Sequence, residues 1–192
     1  MSQAPTTELE AVNFLLATIG ESPVNSLEVP NNLDAVQARA RIREVSRNTQ
    51  NKGWFWNTDE RFPLPADING EIILPTNALR VYTVYPDGDL DLVVRGNRLY
   101  DRKNHTFNIG RTIKVDLVRF LAFEQIPEAA RWYITVTAGR MFQEKSLGSE
   151  SLAKFTRDDE RRAWADLLYE EAETGKYNVF RDSGFAAEVT WR

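Results

Sequence analysis

A few groups of side chains in this sequence have types and spacings that could do chemistry. The densest is Asp158-Asp159-Glu160, where paired carboxylates could run glycoside hydrolysis. Arg157, Arg161 and Arg162 flank the cluster, and cations that close favour ionised carboxylates, which is wrong for a general acid. A charged helix face is the plainer reading. Asp87-Gly88-Asp89-Leu90-Asp91 imitates the opening of a calcium loop. Leu92 then stands where the sharp-turn glycine belongs, and Arg98 where the bidentate glutamate belongs, so an acidic turn is expected. Arg95, Arg98, Tyr100, Arg102 and Lys103 interleave cations with a ring that a base could stack on, although hairpin surface explains them as well. His105, the only histidine, follows Lys103-Asn104 in a stretch that reads as an exposed turn. With one histidine and no cysteine, disulfides, thiolate ligands and Cys nucleophiles are excluded, and neither a metal nor a cofactor is expected. The sequence carries no glycine-rich phosphate loop, nucleophile elbow or zinc-binding His pair.

The elements that would position these groups follow from periodicity. A first helix is expected from Glu8 to Ile19, because Thr7 and Glu10 have capping-box spacing and Leu9, Val12, Leu15, Leu16 and Ile19 share a face. Gly20 and Ser22-Pro23 stop it. Phe14 points off the stripe, as an exposed ring or a contact to a neighbouring subunit. A second helix, Leu33 to Lys52, has Asn31 or Asn32 as cap and Ala35, Ala38, Ile42, Val45 and Thr49 as a narrow stripe. Arg39, Arg43 and Arg47 line one flank at every fourth position, as a solvated edge or an ion-pair row between subunits.

Residues 61–120 read as strands. Pro63, Pro65 and Pro75 exclude a long helix, Asp87-Gly88 and Gly96-Asn97 signal turns, and residues 112–118 alternate cleanly. An antiparallel meander of four or five strands is expected. A third helix should begin near Pro127 and be apolar nearly all round, hence the most buried. A fourth should span Glu150 to Glu173, with Leu152, Thr156, Ala163 and Leu167 on its face and Gly175 closing it. Residues 176–192 then carry Tyr177, Asn178, Phe180, Phe185 and Trp191 with no consistent period. The cost of ordering such a tail roughly offsets what its rings gain by burial, so it should settle against a partner or fold back over its own bundle.

These expectations make an α+β chain: an antiparallel bundle of about four helices, residues 1–54 and 123–175, with an inserted β-meander domain, 55–122, and an extended C-terminal tail, 176–192. The hydrophobic content, 42%, and charged content, 27%, suit a soluble globular protein, and a net charge of −4 provides no global field to attract nucleic acid. Met1 to Thr7 lacks the cationic start and apolar core of a secretion signal, and no apolar run reaches the length of a membrane span.

Several short stretches also resemble a known family. Leu9-Glu10-Ala11-Val12-Asn13 and the run from Leu16 to Val24 are similar to the N-terminal signature of the tail tubular protein A family of short-tailed podoviruses. Gly53-Trp54, Arg95-Gly96 with Tyr100-Asp101-Arg102, Pro127-Glu128 with Arg131, and Tyr177-Asn178 follow in the same order. The resemblance implies a structural virion protein rather than an enzyme. It implies a head-to-tail adaptor, made in the host cytoplasm, twelve copies of which form a ring between the portal protein and the nozzle protein, tail tubular protein B. The helical bundle joins the ring, the C-terminal segment reaches the portal, and DNA passes through the centre. On that basis Tyr177, Asn178, Phe180, Phe185 and Trp191 are candidates for portal docking. Arg39, Arg43, Arg47, Asp158, Asp159, Glu160, Arg161 and Arg162 are candidates for subunit contacts. Two rivals stand beside it: a polysaccharide hydrolase associated with the phage tail, and a nucleic-acid-binding module, which the acidic balance disfavours.

Overall fold

The computed structural model describes residues 5–28, 32–84, 87, 89–147 and 157–182, with the backbone alone at 145–147 and 175–182. The chain divides into two compact units, Met1–Thr49 with Ala122–Arg192, and Gln50–Leu121. The class is α+β, with helices in the first unit and antiparallel strands in the second.

Helix α1 spans Glu8–Thr18 and is fixed at both ends by its own sequence. The Thr7 hydroxyl accepts from the Glu10 amide at 3.1 Å and the Glu10 carboxylate accepts from the Thr7 amide at 3.3 Å, the expected capping box. At the far end Gly20 takes φ +81°, and the Glu21 amide returns to the Leu16 carbonyl at 3.1 Å. That reversal needs a left-handed residue, which glycine adopts without strain. Ala11, Val12, Leu15 and Leu16 are buried. Phe14 is neither fully exposed nor unoccupied, because its ring meets Trp132 edge-on with centroids 6.0 Å apart.

Helix α2 spans Leu33–Gln50, and Asn32 caps it by accepting from the Asp34 amide at 2.7 Å. The whole expected stripe, Ala35, Ala38, Ile42, Val45 and Thr49, is buried. Helix α3, Glu128–Leu147, packs against both α1 and α4. Six consecutive residues, 134–139, are buried, so every side of this helix is covered, as its lack of a polar face predicts. Helix α4 is described from Arg157 to Asp182. Ala163 and Leu167 turn inward as expected, while Leu152 and Thr156 lie outside the described residues. Gly175 does not close α4. The helix continues through it, since a glycine inside a helix costs only about 1 kcal/mol relative to alanine. Among the described residues no helix is long and apolar enough to cross a membrane.

The second unit holds β1 (Thr58–Leu64), β2 (Ala78–Thr83), β3 (Leu92–Arg95), β4 (Arg98–Asp101) and β5 (Ile113–Arg119). All neighbours are antiparallel, but the order is not that of a meander. β5, last in sequence, lies between β1 and β2, while β3 and β4 form a separate hairpin across the expected Gly96-Asn97 turn. Burial explains the order. β5 has the strongest apolar alternation, with Ile113, Val115 and Leu117 all buried, and a strand of that kind belongs at the centre of a sheet. Pro63 sits in β1, an edge strand, where a missing amide is tolerated. Leu64, Ile72, Leu74 and Leu99 complete the core.

The two ends of this unit are fastened to each other. The Gln50 side-chain amide donates to the Leu121 carbonyl at 3.0 Å, and its oxygen accepts from the Leu121 amide at 2.7 Å. Buried Asn57 donates to the carbonyls of Gln50 and Arg119 at 2.9 and 2.8 Å and accepts from the Trp54 amide at 2.8 Å.

Candidate functional site

On α2, Arg39 and Arg43 turn toward a single acceptor in the same chain. Glu8, at the start of α1, takes Arg39 at 3.0 Å on one oxygen and Arg43 at 2.8 Å on the other. Arg39 also donates to the Leu27 carbonyl at 3.0 Å, and the Glu8 amide donates to Glu124 at 2.9 Å. Burial alone would raise the pKa of Glu8, but the two guanidinium groups outweigh it and hold the carboxyl below its ordinary value of 4.5. Arg47 is exposed and makes no ion pair with a described residue.

The carboxylate cluster of α4 does not act as a set. Asp158 pairs with Arg161 at 3.0 Å on the open surface, one turn along the helix. Glu160 faces α3, where Arg140 holds it at 2.7 Å and also holds Glu144 at 2.6 Å. Burial alone would lower the pKa of Arg140; the two carboxylates more than reverse that, and the guanidinium stays charged. Asp159 lies half-buried in the first turn of α4, and Arg162 is exposed. Arg140, Glu160, Arg157 and Arg161 line a groove of about 310 Å³ with Tyr133 and Trp164, whose rings lie 5.0 Å apart. Sequence reading missed Arg140 as the centre of this node. Its spacing of four from Glu144 was the available signal.

In the β unit the cations and carboxylates neutralise one another. The buried Asp87 carboxylate accepts from Arg111 and from the Lys114 amide, and Asp91 takes Arg102 at 2.9 Å, so the calcium-loop imitation is an acidic turn. Arg98 bonds Glu71 at 2.7 Å and lies over Phe107, while Arg95 lies 3.6 Å above the centre of the Tyr100 ring. His105 is exposed in a turn, with φ +55°. The backbone of Tyr177, Asn178 and Phe180 belongs to the last turns of α4, and Phe185 and Trp191 lie outside the described residues.

The residues that carry the sequence resemblance have structural work in common. Glu10 closes the cap of α1. Asn13 exchanges two hydrogen bonds with the backbone of Val24, at 2.9 and 2.8 Å, and so pins the loop after α1. Gly53 takes φ +79° where a Cβ would crowd Val118 at 3.2 Å. The Asp101 carboxylate accepts from the Lys103 and Asn104 amides and organises the turn after β4. Pro127 precedes α3 and its carbonyl accepts from the Arg131 amide at 3.0 Å. These signature residues thus cap, pin and turn the chain in a helical unit and in the antiparallel unit inserted into it. The family model described as "Tail tubular protein" matches residues 9–177. Tail tubular protein A of Klebsiella phage KP34 is 30% identical over 155 residues, covering 80% of this chain and 81% of that protein. The chain belongs to the tail tubular protein family and is a structural component of a bacteriophage tail.

Proposed function

We propose that this protein is the head-to-tail adaptor of a short-tailed phage, a non-enzymatic ring of twelve copies between portal and nozzle. The observation that carries the reading is the family match across residues 9–177, which takes in both units and most of α4. The helical unit, with its halves near residues 1–54 and 123–175, joins the ring. The inserted β domain, 55–122, takes part in ring contacts or faces the nozzle. The segment from Tyr177 onward, starting as helix and carrying Phe180, Phe185 and Trp191, docks on the portal. Arg47, Arg161 and Arg162 are the cations of the candidate set left on the surface for neighbouring copies, while Arg39, Arg43 and Glu160 hold the unit together.

Passage of DNA suits the charge. With −4 on each chain, twelve copies carry about −48, and a like-charged wall repels phosphates instead of holding them. The arrangement of the carboxylates supports a non-catalytic role. A glycoside hydrolase needs one carboxyl free to give up a proton to the leaving group, and Arg140 binds both Glu160 and Glu144. Negative-stain electron microscopy of the purified protein mixed with its cognate portal tests the proposal. Twelve-fold rings seated on the portal are expected, and well-dispersed monomers beside bare portals overturn it.

A further inference from the structure

The β3–β4 hairpin leaves one sheet edge open. Across the two-residue turn Gly96-Asn97, Arg95 faces Arg98 and Val93 faces Tyr100 as bonded pairs, and the Arg102 amide donates to the Asp91 carbonyl at 2.9 Å. The amides and carbonyls of Leu92 and Val94 therefore point away from β4, and among the described residues nothing bonds them. The far side of β4 is taken, since the Leu99 amide donates to the Ile72 carbonyl at 3.1 Å and the Leu74 amide to the Asn97 carbonyl at 2.8 Å. β1 is blunted as an edge by Pro63 and by a bulge at Arg61, where φ is +52°. β2 shifts register between Ala78 and Arg80, and Arg80 donates to the Asn51 carbonyl at 3.3 Å. β3 has neither proline nor bulge. Leu92 and Val94 share a side with buried Leu99, and Val94 is still 46% exposed beside the open edge. Val93 and Arg95 share the other side with Tyr100, and Arg95, stacked on that ring, makes no ion pair with a described residue.

One segment of the sequence matches that edge residue by residue. Residues 183–192 lie outside the described residues, and the match is read from their types. After Ser183-Gly184 the last eight residues, taken alone, alternate. Phe185, Ala187, Val189 and Trp191 fall on one side of an extended backbone, and Ala186, Glu188, Thr190 and Arg192 on the other. We infer that residues 185–192 of one copy add as an antiparallel strand to the β3 edge of another, with Glu188 opposite Arg95, Val189 opposite Val94, Thr190 opposite Val93 and Trp191 opposite Leu92. Leu92 and Val94 thereby exchange their outward backbone bonds with Trp191 and Val189, and apolar side chains meet on the side of Leu99. Glu188 meets the unpaired Arg95. Asp91 already holds Arg102, so Arg192, which falls opposite Asp91, does not select the register. A slip of one residue puts Glu188 among the apolar side chains, and a slip of two takes it away from Arg95. Backbone pairing supplies the affinity and the alternate side chains supply the choice of segment. Segment and edge are different surfaces of one polypeptide, so the contact links copy to copy. It belongs to the protein free of portal and does not depend on the ring reading; docking of Phe185 and Trp191 on the portal requires the segment to leave this edge.

A chain without cysteine allows a direct test on the purified protein alone. A Val93→Cys chain is mixed with a Thr190→Cys chain under mild oxidation. These two positions face each other as a non-bonded pair, the closest approach of side chains on neighbouring strands. A disulfide-linked dimer of the two chains is expected on a non-reducing gel, while Val93→Cys mixed with Val189→Cys, one residue out of register, stays monomeric. Equal linkage in both mixtures overturns the inference, as does preferential linkage of Thr190→Cys to a Tyr82→Cys chain, which would place the segment on β2. A chain carrying both Val93→Cys and Thr190→Cys that closes only within itself overturns the assignment to another copy. In a second arm a labelled peptide of residues 183–192 is titrated into a chain that lacks them and followed by fluorescence anisotropy. Saturable binding is expected, and none up to about 1 mM, the concentration scale of a tethered segment, refutes the pairing. Val94→Pro removes an amide that β4 does not use, so the hairpin keeps its bonds while peptide binding should weaken about tenfold or more; Val94→Ala keeps the amide and should bind more tightly than Val94→Pro. Binding by Val94→Pro as tight as by Val94→Ala shows that the edge is not used and overturns the inference.

Discussion

Replacing Arg140 by methionine keeps most of the side-chain volume and removes the charge that links α3 to α4. Arg140 is 14% exposed, Glu160 22% and Glu144 44%. Glu144 is close enough to water to behave as a surface pair within its own helix, contributing at most about 0.5 kcal/mol. Glu160 is different. Removing one partner of a fully buried pair costs about 3–5 kcal/mol, and partial access of water to Glu160 reduces that to about 2. Together the change should destabilise the helical unit by about 2.5 kcal/mol. With a urea slope of about 2–3 kcal/mol per molar, the midpoint should fall by about 1 M with the slope unchanged. Far-ultraviolet circular dichroism follows this unit, because its helices dominate the signal. Adding Glu160→Gln to Arg140→Met should recover at least half of the loss, since the damage comes from a stranded carboxylate. A midpoint shift below about 0.2 M, or a double variant as unstable as both single changes added together, would refute the reasoning.

Further outcomes follow from the same contacts. Glu8→Gln should cost about 1–2 kcal/mol at neutral pH. Because the folded pKa of Glu8 is depressed, its contribution is in place above the ordinary value of 4.5 and is lost as pH falls through the lower folded value. Melting temperatures of wild type and variant should therefore converge in acid, and parallel curves would count against the Glu8 node. Asn57→Ala removes three hydrogen bonds from buried backbone and should cost the β unit about 3 kcal/mol, read by amide hydrogen exchange on β5. Deleting residues 183–192, and separately 176–192, should abolish portal binding in a pull-down while the other helices persist; binding by both truncated chains would remove the docking assignment. DNA affinity by fluorescence anisotropy at physiological salt should be weaker than micromolar, and a submicromolar value contradicts the repelling bore.

The parts of the fold that local chemistry dictates were legible in the sequence. Thr7 and Glu10 named the start of α1, the stripe from Ala35 to Thr49 named the buried face of α2, and Gly96-Asn97 named the β3–β4 turn. Features set by distant partners were not. The place of β5 between β1 and β2 depends on pairing across tens of residues, and strand order has no local signature. Phe14 looked stranded because Trp132 lies far along the chain. Gly175 looked like a stop, yet a single glycine weakens a helix without ending it. At the candidate site the charged residues were found but their partners were not. Arg39 and Arg43 converge on Glu8, and Glu160 on Arg140, across elements whose packing periodicity alone does not specify.

Gln50 and Leu121 stand 71 positions apart, yet their reciprocal bonds bring the outgoing and returning strands of chain together at one foot. The seventy residues between 50 and 121 can thus be lengthened, trimmed or exchanged as a cassette while the helices keep their own partners. In a tail protein so constructed, the two ends of the inserted unit are anchored to each other before the chain re-enters the helical unit.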